Sequence, residues 1–127
     1  MTQRFGGLFS PLNQREMTEF YRAVDFAVSV DTMMGDLDEY EEEIKSLESQ
    51  PLDMLIEISE GAWNAINFSF FEVGGPGWDE GHKKQGERYG QTYWDVISEA
   101  RLYMASLSKI TRKLKSAQHK LQNEALD

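Results

Sequence analysis

Apolar residues return every three or four positions over three long stretches of the chain, separated by short polar or glycine-rich breaks. Beyond Asn13 the recurring residues are Phe20, Val24, Ala27, Val30, Met34, Leu37, Ile44 and Leu47, with Glu41 as the polar member of the stripe and Tyr40 beside it. That interval gathers apolar groups on one side of an α-helix. Asn13 and Glu16, three apart, form a loose capping box at its start. Gly35-Asp36 interrupts the run, and Asp36 with Glu39 repeats the capping-box spacing. Because the stripe keeps phase across Gly35, the expectation is one long helix with a kink. A helix end followed by a new start is the other reading, and VDFAVSVDT also alternates as a strand does.

Ser49-Gln50-Pro51 marks a fresh start, since proline suits the first turn of a helix. In the segment that follows, Leu52, Leu55, Ser59, Ala62, Ile66, Phe70 and Val73 share one face, and Met54, Ile58, Ala65 and Phe68 a second. Only Glu57, Glu60, Asn64 and Asn67 make a polar stripe, the pattern of a helix central in its bundle. A last helix is predicted from about Thr92 to Gln122. Tyr93, Ile97, Ala100, Met104, Leu107, Thr111, Leu114, Gln118 and Leu121 alternate steps of four and three there, with Ile110 and Ala117 supporting the later turns. This is heptad spacing on a helix about 45 Å long at 1.5 Å per residue. Its basic end is expected to project, and homo-oligomer formation through this helix is expected. Trp63, Trp94, Phe68, Phe70 and Phe71 fall at core spacing.

The fold class is therefore all-α: a helical bundle of three or four long helices with a Gly-rich interhelical loop and a long heptad-patterned C-terminal helix. Residues 1–12 read as an N-terminal arm, because Gly6, Gly7 and Pro11 break any pattern and Phe5, Leu8 and Phe9 lack a period. Residues 13–127 read as a single helical domain.

Composition narrows the chemistry. The chain has no cysteine, which excludes disulfides, thiolate zinc sites and thiol catalysis. No apolar run approaches the roughly 20 residues of a membrane span, and the N-terminal residues lack the sustained apolar core of a signal peptide. The expected setting is cytoplasmic, or within an assembled particle, away from any membrane. The net charge is −9, and residues 36–60 account for all of it, with ten carboxylates against Lys45. Residues 101–120 carry Arg101, Lys109, Arg112, Lys113, Lys115 and Lys120 and no acid. Two antiparallel helices with complementary rims would explain this partition, and so would two halves that meet different partners.

Between the last two helical stretches lies FEVGGPGWDEGHKKQGERYGQTYW, residues 71–94. Gly81 and Gly86 have the spacing of a P-loop, but Glu87-Arg88 follow where Lys and Ser/Thr are needed, and no strand precedes. Gly75-Pro76-Gly77 fails the dinucleotide fingerprint for the same reasons. The segment reads as a wide corner with a binding role, because loops of this length are often functional. Trp78, Asp79, His82, Lys83, Lys84 and Arg88 are its candidate partner-binding residues, joined by Lys109, Arg112 and Lys113 on the last helix. Two histidines without cysteine leave little for zinc, the ExxH of di-iron bundles is absent, and His119 is expected at the surface. Five Lys/Arg in residues 109–120 without interleaved aromatics are a modest signal, so nucleic acid is not an expected partner.

Glu39-x2-Glu42 and, fourteen residues on, Glu57-x2-Glu60 place two carboxylate pairs at helical i, i+3 spacing. In this the chain resembles the all-α MazG-type nucleoside triphosphate pyrophosphohydrolases, whose motif is ExxE, a spacer and ExxD. TEFYRAV, residues 18–24, is similar to that family's N-terminal helix, and Asp79-Glu80-x-His82 with the basic residues to Arg88 is similar to its following segment. The resemblance covers residues 18–88 and departs where Glu60 stands in place of Asp. It implies Glu39, Glu42, Glu57 and Glu60 as ligands of magnesium in a divergent Mg-dependent pyrophosphohydrolase. The favoured reading is instead a non-enzymatic protein–protein interaction or assembly protein without a cofactor. Its size and composition are similar to those of phage and mobile-element accessory or structural proteins. A further alternative is an acidic nucleic-acid mimic that inhibits a DNA-binding protein.

Overall fold

A computed structural model describes the backbone of residues 11–31, 37–71 and 93–126, and the side chains of 11–31, 37–71 and 95–123. Among the described residues the chain is helical, with no strand. Helix α1 spans Gln14–Val30. Its capping box is complete: the Asn13 side chain accepts from the Glu16 N–H at 2.8 Å, and the Glu16 carboxylate accepts from the Asn13 N–H at 2.9 Å.

The single kinked helix expected through residue 47 is not what forms. α1 stops at Val30 because Asp31 leaves helical torsions, with φ −80° and ψ 79°, and its carboxylate accepts instead from the Leu37 N–H at 3.0 Å. The Ser69 hydroxyl donates to the Val30 carbonyl at 2.9 Å, filling a bond that a further turn would have made. Residues 37–50 then form a strap of short pieces: a 3-10 turn at Asp38–Tyr40, the single-turn helix α2 at Glu41–Ile44, and a 3-10 turn at Leu47–Ser49. Leu37 and Leu47 are buried, and Tyr40 and Ile44 pack against the core.

Helix α3 spans Leu52–Phe70 behind Pro51. Helix α4 spans Tyr93–Leu126, 34 residues and therefore roughly 50 Å, against roughly 28 Å for α3. The three long helices pack pairwise, α3 with α4 most extensively. The end of α1 meets the end of α3 through Val30 and Ser69, so those two run parallel. α4 is antiparallel to both, since Lys113 reaches Glu16, Gln118 reaches Asp53 and Thr111 reaches Ser59. The strap carries the chain back along the α1–α3 pair, which parallel neighbours require.

The core joins all three helices. Phe26 lies 5.8 Å from Phe70 and 5.0 Å from Tyr103 between ring centroids, and Leu55, Ile58, Ile66, Leu107 and Leu114 are fully buried along the length of α3 and α4. The heptad seam of α4 is used inside the chain. Ile97, Ala100, Leu107, Ile110 and Leu114 are buried, Met104 and Ala117 pack against the core, and Leu121 is 38% exposed. Phe70 is buried as expected, Trp63 and Phe71 are half-buried, and the Trp94 side chain lies outside those described. No helix among the described residues is long and apolar enough to cross a membrane.

Candidate functional site

α3 and α4 do not close fully along one edge. A groove of about 450 Å³ opens there, lined by Glu60, Trp63 and Asn64 from α3 and by Ser108, Thr111, Arg112 and Lys115 from α4. Two polar side chains at seam positions tie the helices beside it. The Thr111 hydroxyl donates to Ser59 Oγ at 2.7 Å, and the buried Ser59 donates to the Ile56 carbonyl at 2.9 Å. Every hydroxyl of this pair therefore has a partner, as burial demands. Trp63 is half-buried and packs against the core from the groove wall. Lys115 Nζ pairs with Glu60 at 2.6 Å. Arg112 is exposed and has no ion-pair partner among the described residues.

Helical spacing gives α4 an outward side that includes Leu102, Ala105, Lys109, Arg112, Ser116, His119 and Lys120, all exposed. Leu102 is 69% exposed. Lys113, flanking this side, pairs with Glu16 at 2.7 Å. That contact, then the Asn13 N–H, holds the Glu16 carboxyl below its ordinary range. The strap presents the opposite charge. Asp38, Glu39, Glu41 and Glu42 are exposed, and Lys45 contacts Glu42 at 3.3 Å. The Tyr40 hydroxyl donates to Glu57 at 2.8 Å, and chiefly for that reason its pKa is pushed up to about 12. The Tyr21 hydroxyl donates to Glu48, lowering the Glu48 carboxyl, and accepts from the Leu47 N–H at 2.8 Å. Burial first, and Glu48 second, raise the Tyr21 phenol.

The residues singled out from the sequence are distributed as follows. Glu39 is exposed, Glu42 contacts Lys45, Glu57 accepts from Tyr40 and Glu60 pairs with Lys115. No group of three or more His, Asp or Glu side chains placed to hold a metal ion occurs among the described residues. The four glutamates thus do not converge, because Glu39 and Glu42 sit on the strap and not on a long helix antiparallel to α3. Trp78, Asp79, His82, Lys83, Lys84 and Arg88 lie outside the described residues. Lys109, Arg112 and Lys113 share one stretch of α4. His119 is exposed and lies 3.1 Å from the Asn123 amide.

The groove residues Trp63, Asn64, Ser108, Thr111 and Lys115 were not among the sequence candidates. Two signals pointed to them. Asn64 belongs to the only polar stripe of α3, and Ser59 and Thr111 are polar residues at apolar seam positions of helices that pack together. No protein-family model matches this chain, and neither a curated protein nor a solved structure matches it.

Proposed function

We propose that the protein is a non-enzymatic interaction or assembly protein that contacts its partner through the α3–α4 groove and the outward basic side of α4. The observation that carries this is Trp63 on the wall of an open groove beside Arg112, a cation without an ion-pair partner among the described residues. Tryptophan and arginine are the side chains that most often dominate binding energy at protein interfaces. Asn64, Ser108 and Thr111 line the same groove and supply the directional hydrogen bonds of a polar rim. Lys109, Arg112 and Lys120 favour a partner surface bearing carboxylates.

The test is affinity capture of tagged protein from nuclease-treated source lysate, comparing wild type with Trp63→Ala and Arg112→Glu. A stoichiometric protein retained by wild type is expected to fall at least about 30-fold in apparent affinity for either variant, the loss of an anchor contributing about 2 kcal/mol or more. Equal retention by all three, with unchanged circular dichroism, would remove the groove from the interface.

A further inference from the structure

We propose that the partner of the basic side of α4 is a second copy of this chain, whose acidic strap docks on it head to tail. This rests on the reading of α4's outward side as a contact surface and names what occupies it. The two charged regions lie on different sides of the molecule. Tyr21 faces the strap through Leu47 and Glu48, and Val28 shares a small cavity with Leu37 and Ile44. Glu16 and Phe26 face α4 through Lys113 and Tyr103. At about 100° per residue, Glu16 and Phe26 each lie about 140° around α1 from Tyr21. The strap thus crosses one side of the α1–α3 pair, and α4 fills the other.

Charge follows that division. Residues 38–48 hold Asp38, Glu39, Glu41, Glu42, Glu43 and Glu48 against Lys45, and residues 101–120 hold six cations and no acid. Asp38, Glu39 and Glu41 on the strap, and Arg112 and Lys120 on α4, have no ion pair among the described residues. A surface on one side that complements a surface on the other cannot be satisfied by a two-fold dimer alone. It makes a heterologous contact, which propagates into a ring or an open chain.

Ionic strength decides when this contact wins. Each copy carries a net charge of −9, a repulsion felt across the whole molecule, whereas the complementary pairs meet at contact. At about 0.15 M salt the screening length is about 8 Å, shorter than the molecule, so the repulsion is largely erased while contact pairs persist. At about 0.01 M it is about 30 Å and the net repulsion dominates; at about 1 M it is about 3 Å and the pairs weaken too. Self-association is therefore greatest at intermediate salt.

Sedimentation velocity on purified full-length protein tests this with two exposed-surface variants, Lys109→Glu/Arg112→Glu and Glu39→Lys/Glu41→Lys. Wild type is expected to sediment as species heavier than one chain at about 0.15 M salt, each variant alone as a monomer, and their equimolar mixture as heavier species again. The mixture regains association because each variant supplies the surface that the other has reversed. A wild type that stays monomeric at every salt concentration overturns the proposal, as does association that survives both reversals. In either case, loss of a captured protein from Trp63→Ala would still stand for the groove as an interface with a different partner.

Discussion

At the scale of single residues, the fold depends on polar groups placed where the backbone or a neighbouring helix needs them. Asn13 and Glu16 close the N-terminus of α1, and Glu16 also receives Lys113 across the bundle. The cap was legible in the sequence, because N-cap chemistry is local and needs only a spacing of three. The cross-helix pair was not, since nothing in the spacing says which lysine of α4 lies opposite. With its folded pKa lowered, Glu16 contributes stability at pH above its unfolded value, and that contribution is lost as pH falls through the folded value. Glu16→Gln keeps the capping box but loses the Lys113 pair, and should therefore lower stability by up to about 1 kcal/mol at neutral pH, at most roughly 3–5 °C in Tm. The gap between wild type and variant should narrow in acid and close as pH falls through the lowered folded value, below the ordinary glutamate range. Thermal melts at both pH values check this, and a gap that widens in acid would contradict the assigned cause.

Among elements, the three long helices were legible and the strap was not. Amphipathic periodicity is strong over seventeen or more residues, and α3 and α4 begin within a residue or so of where proline and the heptad pattern put them. Residues 37–50 keep the same period because they too cover a core, so spacing alone cannot separate a continuing helix from short turns that present Leu37, Tyr40, Ile44 and Leu47 inward. What breaks the helix is tertiary: Asp31 turning to the Leu37 N–H, and Ser69 reaching Val30. If the strap is packed as described, Leu47→Ala leaves a cavity and costs about 2–5 kcal/mol, whereas Glu41→Ala on its exposed side changes stability by less than about 0.5 kcal/mol. Urea unfolding of both distinguishes them. Equal, small effects would show that the strap does not pack on the α1–α3 pair.

On the scale of the whole molecule, the sequence made the charge partition plain but not its geometry, which needs the parallel course of α1 and α3 and the position of α4 on their far side. The heptad seam suggested pairing between chains, yet Ile97, Ala100, Leu107, Ile110 and Leu114 are buried within one chain. Among the described residues the groove, the outward side of α4 and the strap lie outside that seam, and closure of the seam within one chain is what their exposure depends on. Carbodiimide cross-linking of a 1:1 mixture of unlabelled and ¹⁵N-labelled protein tests it most directly, because Lys113–Glu16 and Lys115–Glu60 lie at 2.7 and 2.6 Å. The predicted result is that both cross-links join peptides of the same isotope, the α4 seam being closed within each chain. Cross-links of mixed isotope at the statistical half would place α4 against a different copy and overturn closure of the seam within one chain.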